Sequence, residues 1–373
     1  MNDIRPFTIA VPDEVLSDLA DRLRRTRWPE AELVDDWSQG VPLAYVQEVC
    51  AYWADTYDWR AREARLNRFD HFITEIDGLD IHFIHQRSSN PDATPLVLTH
   101  GWPGSIVEFD KVIEPLTEAG FHVVAPSLPG FGFSGKPTST GWGVEKIAEV
   151  WGELMARLGY DHYLAQGGDW GSAVTANIGR SQTEHCDGVH MTLNMGGRPP
   201  AGETELGPDE LYALERAKYY SDWDSGYSTQ QATRPQTVGY ALADSPSGQA
   251  AWILEKFWAW TDCDGHPENV LSRDELLDNI MLYWATSSAT SSARIYWESF
   301  GRAKDRRNIT IPSGFTVYPK EIVPPVRRWC EGMFTNIVSW NERTKGGHFA
   351  AFEQPESFVD DVVQFAAAVR AAT

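Results

Sequence analysis

Apolar positions along this chain change their spacing several times, and each change marks a new element. Over 13–27, Val15, Leu16, Leu19 and Leu23 recur at helical intervals, with Asp13 and Glu14 ahead and arginines behind, the order a helix dipole favours. Leu43, Val46, Val49, Cys50 and Trp53 predict a second helix over 43–55. Over 72–86 the period falls to two, and HFITEI and LDIHFIHQ flank Asp77-Gly78, which predicts a hairpin with a tight turn. Continuous apolar runs follow at 95–100, 121–130, 162–171 and 188–195, with a helical stripe over 144–158 among them. Such alternation predicts buried, mostly parallel strands in an α/β sheet. From 198 to 301 the pattern is helical and aromatic with no clear strand, which reads as an insertion. Strand-like runs resume at 314–319 and 336–340, and a last helix is expected over 355–370. The chain therefore divides into a helical N-terminal meander (1–75), a first core part (76–197), a helical cap (198–301) and a second core part (302–373).

Composition narrows the function. Thirty-two basic against 53 acidic residues give a net charge of −21, which repels phosphate backbones and disfavours nucleic acid as a partner. Four scattered cysteines without a CxxC pair fit reduced thiols and a cytoplasmic protein. The start of the sequence reads as neither a signal peptide nor a membrane anchor, and no apolar run is long enough to span a bilayer, so no membrane attachment is expected. Trp223, Trp252, Trp258, Trp260, Trp284 and Trp297 crowd the insertion. They fit either core packing or an aromatic wall around an apolar ligand.

The chemistry concentrates in Gly167-Gly168-Asp169-Trp170-Gly171, a nucleophile flanked by small residues at a strand-to-helix turn. The turn is too sharp for side chains two positions either side. It leaves Asp169 at a helix N-terminus, where backbone N–H groups favour negative charge. An Asp here selects the reaction. A carboxylate needs no base to activate it, and attack on a saturated carbon gives an ester that water can cleave, whereas serine would give an inert ether. Substitution at carbon, on an epoxide or an alkyl halide, is the chemistry implied.

Two further segments complete the set. His100-Gly101-Trp102-Pro103-Gly104-Ser105 follows a predicted strand, where such folds supply an oxyanion-hole N–H; we assign the donors to Trp102 and Trp170. Lys345-Gly346-Gly347-His348-Phe349 follows the last strand, and the order Asp169, acid, His348 matches the α/β-hydrolase order. Glu321, just after GFTVYPK, is the best-placed acid, with Glu331 and Glu342 as rivals. Trp102, Trp170 and Phe349 are expected to contact substrate. His82 and His85, three apart on a strand, should face opposite sides, so no metal site is expected. The glycine loop Gly130–Gly135 lacks the βαβ setting of a dinucleotide site and reads as an active-site loop.

With these residues in hand, the chain resembles the microsomal-type epoxide hydrolases over nearly its whole length. HGWPGS, GGDWG, Thr233-Arg234-Pro235-Gln236-Thr237, Asp244-Ser245-Pro246 and GGHFAAFEQPE (346–356) carry the likeness, together with an N-terminal segment that wraps the core. The resemblance implies an α/β-hydrolase fold and two cap tyrosines that hydrogen-bond the epoxide oxygen, matched by Tyr227 and Tyr296. Spacing alone does not separate these from Tyr219, Tyr220, Tyr240 or Tyr283. The resemblance also supports Glu321 as the acid. Eukaryotic members carry a membrane anchor; this sequence is expected to be a soluble, bacterial-type version. Epoxide and water are the expected reactants, with no cofactor and no metal, and a homodimer is the working expectation for assembly. An alkyl-halide dehalogenase on the same fold, or a silent ligand-binding α/β-hydrolase, are the alternatives.

Overall fold

The computed structural model describes residues 3–194, 197, 199, 202, 203, 205–301, 305 and 307–372. Nine strands form one sheet in the order β1-β2-β3-β5-β4-β6-β7-β8-β9. Strands β1 (Ile4–Phe7), β2 (His71–Ile76) and β3 (Leu79–Gln86) pair antiparallel in turn, and β3 meets β5 (Phe121–Pro126) antiparallel. From β5 through β4 (Thr94–Thr99), β6 (Tyr163–Gly167), β7 (Cys186–Met191), β8 (Ser313–Val317) and β9 (Ile337–Glu342) every pairing is parallel. Strands β5 and β6 are buried at every position, as parallel strands covered on both faces must be. This is the expected α/β-hydrolase fold. The Asp77-Gly78 turn has φ of 51° and 79°, which is why that pair closes the β2–β3 hairpin.

Helices α1 (Asp13–Arg24), α2 (Leu43–Asp55) and α3 (Trp59–Leu66) make up the N-terminal segment. After β4 and β5 come α4 (Ile113–Glu118), α5 (Val144–Arg157) and α6 (Asp169–Ser181), with α5 and α6 side by side and α6 against β4, β6 and β7. Between β7 and β8 the chain forms α7 (Pro208–Tyr219), α8 (Gly226–Thr233), α9 (Pro235–Asp244), α10 (Pro246–Trp260), α11 (Arg273–Ala285) and α12 (Ala289–Ser299), with no strand among the described residues. Proline opens α7, α9 and α10, where its missing N–H goes unneeded, and a Ser272–Glu275 capping box starts α11. Short α13 (Arg327–Cys330) and α14 (Ala350–Glu353) precede α15 (Pro355–Ala372), which lies on β7, β8 and β9.

Several details of the fold depart from the sequence reading. Ile4–Phe7 is an edge strand, too short and proline-bearing to show alternation. The 75/76 boundary falls inside β2. The first helix ends at Arg24 rather than at 27. Residues 195, 198 and 302, which carry the end of the strand read at 188–195 and the cap edges, lie outside the described residues. Among the described residues no helix is long and apolar enough to cross a membrane.

The N-terminal segment binds cap and core at once. Arg62 forks onto Asp278 of α11, its Nε 2.8 and 2.9 Å from the two carboxylate oxygens, and the Tyr57 hydroxyl donates to the same group at 2.7 Å. One turn on, Arg65 reaches Asp110 in the core at 2.6 Å. Burial pushes the Asp278 carboxyl up, and the Arg62 guanidinium and Tyr57 hydroxyl oppose that push. We predict that Arg62→Met lowers unfolding free energy by about 3 kcal/mol at neutral pH, because it strands a buried carboxylate. Without Arg62 the folded-state pKa of Asp278 lies further above its unfolded value, so the penalty is full at neutral pH and shrinks as pH falls through that pKa. Denaturant titrations at several pH values check both statements.

Candidate active site

Strand β6 ends at Gly167 and α6 begins at Asp169, so the chain reverses within two residues. Asp169 has φ 49°, a left-handed conformation that side chains avoid unless the surroundings impose it. A Cβ on Gly171 would lie 1.9 Å from the Thr99 carbonyl oxygen, and one on Gly167 would lie 2.2 Å from that of Gly171. Only glycine lets the two strand ends and the helix close this tightly. The turn projects the Asp169 carboxylate over the ends of β4 and β6. There its Oδ1 accepts the Trp102 N–H at 2.8 Å. The Trp170 N–H lies in the first turn of α6, where no earlier turn supplies an acceptor.

Asp169 Oδ2 lies 3.2 Å from His348 Nε2, and His348 Nδ1 lies 2.6 Å from Glu321 Oε1. Glu321 Oε1 also accepts the Ile322 N–H at 2.6 Å. The loops after β8 and β9 are joined by a Lys320–Gly347 bridge, which aligns acid and histidine. The His348 N–H donates to the Trp260 carbonyl at 2.8 Å, and Glu353 accepts the N–H groups of Gly347 and Phe349 at 3.1 and 3.0 Å. Burial pulls the imidazole pKa down, but the Glu321 and Asp169 carboxylates outweigh it and hold His348 well above its ordinary value. The imidazole thus lies between two carboxylates that both favour its charged form.

Above the carboxylate lie three cap tyrosines. The Tyr227 hydroxyl is 3.2 Å from that of Tyr220 and 3.4 Å from that of Tyr296. Tyr227 stacks on the Trp102 indole at 4.8 Å and 11°, while Tyr296 stands edge-on to Trp170 at 4.8 Å and 89°. Burial pushes the Tyr227 and Tyr296 phenols well above their ordinary range, so both stay protonated at neutral pH. A cavity of about 360 Å³ opens beside them, lined by Asp169, Trp170 and the three tyrosines together with apolar groups such as Leu193, Phe300 and Met333.

Comparison with known proteins identifies the family. The sequence profile described as "Epoxide hydrolase N terminus" matches residues 4–109, and that of the "alpha/beta hydrolase fold" matches 94–224. A protein of Stigmatella aurantiaca that carries a provisional epoxide hydrolase name is 52% identical, over 96% of this chain and 84% of the relative. Epoxide hydrolase 1 of Sus scrofa is 37% identical, over 97% and 88%. The structure of Aspergillus niger epoxide hydrolase superposes with a TM-score of 0.91 at 35% identity, covering 98% of this chain and 97% of that one. The chain belongs to the epoxide hydrolase family.

In this epoxide hydrolase family member, Asp169, Trp170, Tyr227 and Tyr296 line the cavity, while His348, with Glu321 behind it, and Trp102 contact Asp169 from outside that lining. Phe349 does not line the cavity; it stacks on Phe257 at 4.4 Å behind His348. The rivals of Glu321 sit elsewhere: Glu331 pairs with Arg327, and Glu342 accepts the Trp340 indole N–H. His100 holds the loop, with Nε2 accepting the Leu128 N–H at 3.1 Å; burial pulls its pKa down to about 4, so it stays neutral. His82 meets Ser127 and His71, while His85 meets Tyr160. The Gly130–Gly135 loop lines no part of the cavity. Instead, Gly130 lets the loop approach α12, where the Ser291 hydroxyl donates to its carbonyl at 2.6 Å. Sequence reasoning gave no role to Tyr220 or Glu353, although Glu353 sits at a helix end just after the histidine.

Gly101 leaves no room for a side chain beside the Asp169 carboxylate. A Cβ there would fall 2.1 Å from Asp169 Oδ1. Gly101→Ala should displace the carboxylate and lower epoxide turnover by about 10²-fold, with little loss of thermal stability, as steady-state kinetics and a melting curve will show.

Proposed function

We propose that the chain hydrolyses an epoxide to a vicinal diol through an ester on Asp169. The observation that carries this is the position of the Asp169 carboxylate, with one oxygen on the Trp102 N–H and the other facing His348 and the cavity. Oδ2 attacks an epoxide carbon, and the C–O bond of the ring breaks as Tyr227 and Tyr296 donate to its oxygen. Oδ1 becomes the ester carbonyl, on the Trp102 N–H, and the Trp170 N–H serves as the second donor that receives charge in the next step. His348 then takes a proton from water, Glu321 steadies the imidazolium, and hydroxide attacks the Asp169 carbonyl carbon; the bond from that carbon to the substrate oxygen breaks, the diol leaves with the hydroxide's proton, and the carboxylate is restored.

In the resting site both neighbouring carboxylates favour the charged form of His348, which makes it a poor base. Ester formation removes the negative charge of Asp169, one of the two carboxylates that raise its pKa, and burial pulls the imidazole back towards neutrality. The proton it releases balances the one taken up by the alkoxide through the phenols. The proton taken from water restores it, so each cycle consumes only epoxide and water. The apolar lining and size of the cavity favour a bulky apolar or aromatic oxirane. A dehalogenase would have no use for the paired phenols.

Asp169→Asn should abolish turnover and form no adduct. His348→Gln should accumulate the ester, seen by mass spectrometry as a mass gain of one substrate on the peptide holding Asp169. A His348→Gln enzyme that stays unmodified while a panel of aryl oxiranes is converted would overturn the scheme. In single turnovers, ester hydrolysis should slow as pH falls through the His348 pKa of the ester state, whereas ester formation should lack that limb.

A further inference from the structure

Behind Tyr227 lies a buried cation that the scheme above leaves without a task. Lys256 of α10 is buried, with Nζ 2.6 Å from Asp224 Oδ1 and 3.3 Å from the Asp224 carbonyl oxygen. Asp224 Oδ2 accepts the Trp260 indole N–H at 2.6 Å, which fixes the carboxylate in turn. Glu255 Oε2 approaches the same ammonium at 2.8 Å and is the more exposed of its two carboxylate partners. Burial pulls the Lys256 pKa down, but the two carboxylates outweigh it, and the group remains an ammonium. Its Nζ lies over the Tyr227 ring, 4.7 Å from the centroid. The Trp102 indole fills one face of that ring, which leaves the other to the cation.

A positive charge on the face of a phenol is attracted to the ring, and it stabilises the negative charge that builds up as the hydroxyl gives its proton away. We propose that Lys256, anchored by Asp224, is a positioning residue for ring opening: it presses the Tyr227 ring against Trp102 and strengthens its hydroxyl as a donor to the epoxide oxygen. The inference rests on the ring-opening role proposed above for Tyr227. It predicts that the cation acts on ester formation alone, and only through the Tyr227 hydroxyl.

The test is a rapid-mixing cycle with styrene oxide as the probe, in which quenched samples give the rates of ester formation and ester hydrolysis separately. The paired change Lys256→Met with Asp224→Asn removes both charges and keeps both shapes. It should slow ester formation about tenfold in the wild-type and Tyr296→Phe backgrounds, and less than about twofold in Tyr227→Phe, with ester hydrolysis unchanged. Phenylalanine keeps the ring on which the cation rests, so a merely structural lysine would give the same loss in all three backgrounds; that result, or a loss confined to hydrolysis, overturns the inference. Should the paired variant fail to fold, Asp224→Asn alone loosens the tether and must show the same background dependence in smaller degree, or the inference falls. A wild-type enzyme that turns over styrene oxide without any ester sinks the reading of the site, and this inference with it; an ester formed at the same rate with and without Lys256 sinks the inference alone.

Discussion

The ion pair between Asp169 and His348 is the interaction around which the rest of the molecule is arranged. It joins the end of β6 to the loop after β9, two places that only a folded parallel sheet brings together. Each partner is held by backbone that has little freedom. The carboxylate sits on a residue with φ 49°, and the imidazole on a loop whose N–H groups are taken by the Trp260 carbonyl and the Glu353 carboxylate. A charged pair out of water is tolerable only with such fixed partners. Here Glu321 and the Trp102 N–H supply them, and the same contacts suit the pair to reaction.

The cap and the core meet through aromatic rings rather than salt bridges at this point. The tryptophans of the two glycine-rich motifs have a double part. Their N–H groups face the carboxylate or the helix start, while their indoles carry Tyr227 and Tyr296. Backbone and side chain of one residue thus set both the acid-facing and the oxygen-facing sides of the cavity. Any shift of either motif would move donors and phenols together, which keeps their spacing constant.

Much of this could be read from the sequence, because the features concerned are local. Asp169, with its flanking glycines, and His348, between a glycine pair and a helix, carry their punctuation within a few residues. The alternation of apolar runs and helical stripes made the parallel sheet legible for the same reason. What could not be read depends on distant partners. Nothing near Lys256 announces that Asp224, on another element, will bury with it. The glycines at 130–135 look like a ligand loop because the cap helix that approaches them lies far along the chain. Ile4–Phe7 is a strand only because β2 offers it an edge.

The helix α3 sends Arg62 into the cap and Arg65 into the core from adjacent turns, and so rivets the two together away from the catalytic groups. Cap and core are tied on that side by two guanidinium groups, so the width of the chamber is set at the opposite margin, where Leu193, Phe300 and Met333 stand across from the phenols.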